Sequence, residues 1–326
     1  MTAILPDQAA APAPTGAGAG DDRRKGTAER RPRRSVVPYG LLVPASALIG
    51  LALAYPLVRL VVMSTQEFGL RQQFGAPAEF VGLDNFSAIL GDPEFVDVLV
   101  RSLVFCAVNV VLTMVLGTAV AVVLGQLGRG MRTAVSTALL LAWAMPALTA
   151  TVVWQWLFDT QHGLVNWTLT RLGGDFEGHG WLAEPLSFFF VATIVVTWMG
   201  IPFVAFTMWA GMSQIPGEVL EAAEVDGASG WERFRDIVLP ALRPLILVLL
   251  ALSTLWDLKV FTQIYVLQQA GGITRETNLL GVWAYRMSIG QSDFGVGAAA
   301  ALIMVAITLV LTIAYLRSML RSGELS

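Results

Sequence analysis

Six runs of apolar residues, at about 39–64, 99–126, 133–157, 187–212, 241–262 and 294–318, set the limits on what this chain can become. Each is longer than the roughly 20 residues a helix needs to cross about 30 Å of hydrocarbon. Backbone polar groups in lipid must be satisfied within the spanning segment, so helices are the expectation. The fold class is therefore all-α: a polytopic membrane protein with six transmembrane helices. Composition agrees, with 55% hydrophobic and 14% charged residues, against about 25% charged in ordinary soluble domains. The fifth run is the least sharply bounded, because Asp257 and Lys259 lie near its end.

Residues 1 to 37 read differently. "AAAPAPTGAGAG" and the charged stretch that follows lack the apolar side chains that would offset ordering entropy, so this is a disordered basic tail. The first run is longer than the apolar part of a signal peptide and no small-residue cleavage site follows it, which makes it a retained first helix. Domains follow: the tail 1–37, a transmembrane domain 38–320, a polar loop 213–240 inside it, and a short tail 321–326.

Basic residues set the topology. Seven in the first tail share a side with Arg129, Arg132, Arg233, Arg235, Arg243, Arg317 and Arg321, against Arg71, Arg171, Lys259, Arg275 and Arg286 on the other. That excess places both termini in the cytoplasm of a multi-pass protein of the plasma or inner membrane. Loop 65–98, with Glu67, Glu79, Asp84, Asp92, Glu94 and Asp97, falls outside. The single cysteine, Cys106, lies inside an apolar run, so disulfides and Cys-rich metal sites are excluded. His162 and His179 share one loop without metal-ligand spacing and read as ordinary loop residues.

The polar stretch between the fourth and fifth runs, "SQIPGEVLEAAEVDGASGWERFRDIVLP", carries the most information. Pro216 suits a helix start, and Asp226-Gly227 supplies a stop at which glycine can turn left-handed. Ser229 and Glu232, three apart, form a capping box that opens a second helix, expected to run through Phe234, Ile237 and Val238 and to meet Pro240. Glu218, Glu221 and Glu224 form an acidic stripe, with the small Ala222 and Ala223 beside it. A helix–turn–helix of net negative charge on the cytoplasmic side suits a basic protein groove better than anionic lipid. A solvated connector is the alternative on these grounds.

The spacing Glu221-Ala222-Ala223, three residues, Gly227, nine residues, Ile237, one residue, Leu239-Pro240 matches without a gap the EAA-loop motif of ABC-importer permeases. "FVGLDNFSAILGDPEF" (80–95), "WLFDTQHGLVN" (156–166) and "KVFTQIYVLQQAGG" (259–272) resemble the sugar-type, binding-protein-dependent permeases, in particular the first permease subunit of maltose and glycerol-phosphate systems. The resemblance covers about 39–320. It departs from the family at Ile273, where Pro often follows Gly-Gly, and in the compactness of loop 65–98.

The resemblance implies an ABC type I importer permease fold and a transport subunit that is not an enzyme. It implies a second permease as heterodimer partner, an ATP-binding subunit pair holding ATP and Mg, an extracytoplasmic solute-binding protein, and a sugar substrate. Membrane lipid surrounds the chain, and no nucleic acid or cofactor of its own is expected. Glu221, Ala222, Ala223, Asp226 and Gly227 would form the ATPase-coupling site. The chain agrees in lacking G-x-x-x-x-G-K-[ST]. An ATPase-independent secondary transporter or scaffold is the alternative, and it would want ionisable residues near mid-membrane, which five of the runs lack.

Weaker signals mark a substrate path. Gly200 and Pro202 in the fourth run, like Pro146 in the third, suggest broken helices beside a cavity, or kinks absorbed by packing. Trp256, Asp257 and Tyr265 combine aromatic faces with a carboxylate near the fifth run, as pockets for sugars do; an interfacial aromatic belt is the competing reading.

Overall fold

A computed structural model describes residues 37–321. Residues 1–36 of the expected N-terminal tail and the last five residues lie outside the described residues, while Val37 already belongs to the first helix. The chain falls into two units, residues 1–53 and 54–326. The helix α1 (Val37–Ser64) runs from the first into the second, and its residues from Leu42 to Arg59 are exposed.

The second unit is a helical bundle. Its main elements are α2 (Asp84–Leu90), α3 (Pro93–Gln126), α4 (Arg129–Trp143), α5 (Ala147–Leu157), α6 (Leu164–Arg171) and α7 (Pro185–Met212). They continue with α8 (Gly217–Val225), α9 (Gly230–Arg233), α10 (Arg243–Leu258), α11 (Thr262–Gln269), α12 (Leu280–Tyr285) and α13 (Phe294–Arg321). Proline opens several of the long helices, at Pro93, Pro185 and Pro244, where its missing N–H costs nothing. Asp92 caps α3, its carboxylate accepting from the Glu94 amide at 2.8 Å.

Five helical segments among the described residues are long and apolar enough to cross a membrane, and a bent pair makes a sixth. The bent pair corrects the expectation of one helix over 133–157: α4 and α5 meet at 101°. Pro146 explains the break, because it has no amide to donate and disfavours helical geometry at Met145. Pro202 behaves differently. It lies inside an unbroken α7, buried, so there the packing absorbs it.

The heart of the bundle is the α3–α7 pair. Phe105 meets Phe189, Thr197 donates to Asn109 at 3.3 Å, Gly200 faces Thr113 and Gly117 faces Val204. The register rises together along both helices, so they run parallel. A Cβ on Gly117 would stand 2.6 Å from that of Val204, so glycine is what lets the backbones come this close. The Cys106 thiol donates to the Thr254 carbonyl at 3.6 Å and Thr254 pairs with Tyr315 at 3.0 Å, tying α3 to α10 and α10 to α13. Phe95 packs on the buried Trp283 at 5.6 Å between ring centroids.

Loop 65–98 is folded rather than loose. β1 (Gln66–Glu67) and β2 (Glu79–Phe80) pair antiparallel, with Gln66 opposite Phe80. Asn85 donates to the carbonyls of Ser64 and Gln66, both at 2.9 Å, and Gly295 donates to Phe68.

Candidate functional site

The polar stretch folds into two short helices joined by a tight turn, at the end of the bundle where α7 finishes and α10 begins. Pro216 occupies the N-cap of α8, one position before the first helical residue. At the other end the Gly227 amide donates to Glu224 and the Ala228 amide to Ala223, at 3.0 and 2.9 Å. These are the paired bonds of a Schellman stop, and Gly227 takes the left-handed φ of 86° that the stop requires. Asp226 is the C-cap, directly after the last helical residue Val225.

The capping box is present as both of its bonds. Glu232 donates its amide to the Ser229 hydroxyl at 3.3 Å, and the Glu232 carboxylate accepts from the Ser229 amide at 2.7 Å. The second bond favours the ionised form and holds the Glu232 carboxyl below its ordinary range. Beyond Phe234 the helix does not stop at Pro240. It passes through a π-helical turn, Phe234–Val238, and a last turn, Leu239–Ala241, before Leu242 breaks it ahead of α10. The wider turn answers the proline, whose ring crowds the carbonyl four residues back. Arg235 and Asp236 pair side by side at 2.7 Å on the exposed face.

The acidic stripe is divided. Glu224 accepts from Arg233 at 2.6 Å, which straps α8 to α9. Glu218 and Glu221 are exposed and make no ion pair among the described residues. Ala222 is exposed beside them and Ala223 half-buried. Sequence reasoning missed two features. The Arg233 strap joins residues nine apart across a turn, a spacing without a local signature. The other is an apolar tip: Val225 is 88% and Trp231 65% exposed, with Trp231 stacked on Phe234. A tryptophan in a polar loop is itself a signal, since such residues anchor interfaces. A cavity of about 510 Å³, walled by Ile215, Val219, Ile237 and Leu245, lies between the hairpin and the bundle.

The substrate-path candidates do not converge on one place. Gly200 packs against Thr113, whose Cγ2 would lie 2.7 Å from an added Cβ, so its position serves the α3–α7 contact. Pro202 is buried in α7. Trp256 is exposed and meets Phe203 at 4.9 Å, and Phe203 in turn stacks on Trp143. Tyr265 belongs to another group, with Phe261 at 5.4 Å and Tyr285 at 5.5 Å. Asp257 follows Trp256 with one carboxylate oxygen buried and without a hydrogen-bond partner. An orphaned acceptor of that kind is costly unless water or a ligand satisfies it.

Trp154 packs on Phe158 and Trp198, while Trp156 and Trp167 are exposed beside the loop that holds His162. Asn166 pins that loop, donating to Thr160 and His179 and accepting from the Trp181 indole at 2.6 Å.

The family described as "Binding-protein-dependent transport system inner membrane component" matches residues 101–318. The diacetylchitobiose uptake system permease protein of Streptomyces coelicolor is 42% identical over 305 residues, covering 92% of each chain. The sulfoquinovosyl glycerol transport system permease protein of Agrobacterium fabrum is 34% identical, over 85% of this chain and 88% of its own. The trehalose/maltose transport system permease protein of Thermococcus litoralis is 33% identical, over 89% and 96%. A solved bacterial ABC transporter involved in the import of the acidic polysaccharide alginate has a chain with TM-score 0.76 and 22% identity, covering 87% of this chain and 95% of that one. At that identity the likeness carries the fold.

Proposed function

Because the chain belongs to the family of binding-protein-dependent transport inner-membrane components, we propose that its capped hairpin is the element through which a separate ATPase drives import of a neutral di- or oligosaccharide. The chain is a multi-pass permease subunit of an ABC importer, a transport protein and not an enzyme. One observation carries the coupling role: a doubly capped hairpin presents Glu218 and Glu221, without an ion pair among the described residues, beside an exposed apolar tip. Such acids next to Val225 and Trp231 suit a partner groove with basic residues around an apolar floor.

In this reading Glu221 is the docking acid, Ala222 and Ala223 let the partner approach, and Asp226-Gly227 fix the turn. ATP and Mg sit in the ATPase pair. Closure of that pair moves the hairpin as a rigid piece, because both its helix ends and the strap between its helices are satisfied internally. A second permease completes the pathway, and a solute-binding protein delivers substrate at the opposite end, which the basic-residue count places outside. The hairpin end and both termini are cytoplasmic.

The sugar class is supported by the printed names of the curated relatives and by the scarcity of basic side chains in the apolar runs. Two separate places along the path are proposed for substrate contact: Trp256 with the neighbouring Asp257, whose acceptor wants a donor such as a sugar hydroxyl, and Tyr265 in its own aromatic group. Gly200 and Pro202 support the path by shaping α7.

Pull-down of the tagged chain in mild detergent should recover a stoichiometric P-loop ATPase. Glu221→Lys should abolish both recovery and sugar uptake. Full recovery and uptake in that variant would overturn the docking role. A deletion strain whose uptake of every neutral sugar tested stays normal would overturn the substrate class.

A further inference from the structure

A large groove on the described surface lies away from the coupling hairpin. It holds about 1200 Å³ between α3 and α7, on the half of the bundle away from the hairpin. The two helices touch closely at Gly117–Val204 and Gly200–Thr113, and outward of Leu112 and Thr193 the space between them opens. Its walls are exposed aliphatic and aromatic side chains, among them Val104, Val108, Leu112 and Phe190, over a floor of Phe105. Its rim is charged: Asp97 and Arg101 on α3, and Glu184 at the cap of α7.

Depth along the helices separates rim from walls. Helix α3 has 34 residues and so spans about 51 Å, against about 30 Å of hydrocarbon. Centring it leaves roughly seven residues beyond the hydrocarbon at each end, which puts Asp97 at headgroup level and Arg101 about two residues, roughly 3 Å, inside the hydrocarbon edge, from where its long side chain reaches the phosphate layer. Val104, Val108 and Leu112 follow within the apolar layer. Glu184, at the start of α7, lies at headgroup level by the same reckoning.

Arg101 donates through Nη1 to the carbonyls of Arg275 and Asn278, at 3.3 and 3.2 Å. Those bonds fix the guanidinium at the rim, and no other bond of Arg101 is made among the described residues. Asp97 and Glu184 are exposed and have no ion pair there. The groove therefore offers one held cation and two free carboxylates above a long apolar slot. Its volume exceeds the about 300–1,000 Å³ of small-molecule pockets.

We propose that this groove is a binding site for a phospholipid with a primary-ammonium headgroup, phosphatidylethanolamine by chemistry. The phosphate meets Arg101, the ammonium donates to Asp97 and Glu184, and an acyl chain fills the slot. Charge selects this occupant. An anionic phosphatidylglycerol satisfies Arg101 but sets a diol against two carboxylates, and a quaternary choline has no N–H to donate.

The test uses the whole transporter, purified with its partners from mixed micelles holding equal phosphatidylethanolamine, phosphatidylcholine and phosphatidylglycerol, with bound lipid read by native mass spectrometry. Phosphatidylethanolamine should be retained over each of the others by about tenfold. Arg101→Ala should reduce retention of all three. The double variant Asp97→Asn with Glu184→Gln should remove the preference while leaving the complex assembled, and it stands as the test should the arginine variant fail to fold. Free glycerophosphoethanolamine should not compete, since it lacks the chains. Equal retention of the three lipids, a preference unchanged in the double variant, or a Val108→Cys that crosslinks to another protein chain in the assembled complex would each overturn the proposal.

Discussion

Glu221 and Glu224 stand three residues apart on one acidic stripe, and the folded hairpin gives them different work. Glu224 is held by Arg233, while Glu221 faces outward without a partner in the described chain. Charge reversal should expose the difference. Glu224→Arg should weaken coupling by loosening the hairpin, a partly exposed pair being worth up to about 1 kcal/mol, and Arg233→Glu on top of it should restore uptake. Glu221→Lys should find no rescue within this chain. Gly227→Val forces a branched residue into the left-handed region at a cost of about 1–2 kcal/mol, so uptake and ATPase recovery should fall together. Glu232 carries a pH dependence. Its folded carboxyl titrates below the ordinary range, so the cap's contribution is present above that range and fades as pH falls through the lowered value. Amide exchange at 229–233 should quicken in that acid window, and Glu232→Gln should flatten the response.

At the scale of elements, three prolines in three helices have three outcomes. Pro146 bends its run by 101°, Pro202 is carried inside an unbroken α7, and Pro240 widens one turn. The residue type is the same, and what surrounds it decides. Pro202 is buried, and the packing around it holds the helix together at a missing bond. Gly200 belongs to the α3–α7 contact. Gly200→Ala should lower thermal stability, by about 1–3 kcal/mol as overpacking typically does, because the new methyl meets Thr113 Cγ2. Thr113→Ser removes that methyl and should recover most of the loss. Recovery of uptake together with stability in the double variant would assign Gly200 to packing; stability without uptake would return it to the substrate path.

At the scale of the molecule, the arrangement of charge predicts sidedness. A cysteine at Val225, at the apolar tip, should react with a membrane-impermeant maleimide only from the cytoplasm, and one at His162 only from outside. The native Cys106 is buried and should stay silent in both. Labelling of both positions from the same face would overturn the topology.

The sequence by itself determined the number and order of the apolar segments, the helical class, and the hairpin with its caps. These depend on residues within about a turn of one another, or on composition over a membrane's width, so no distant contact had to be known. The motif Glu221 to Pro240 was legible for the same reason. Tertiary structure decided what local rules leave open: the Glu224–Arg233 strap, the fate of each proline, the use of Gly200 and Gly117 for close approach, and the scattering of Trp256 and Tyr265 into separate aromatic groups. It also made a groove from Asp97, Arg101 and Glu184, which lie up to 87 positions apart. Such pairings are set by which helix faces meet, and in lipid an apolar face looks much the same whether it packs on a helix or on a hydrocarbon chain.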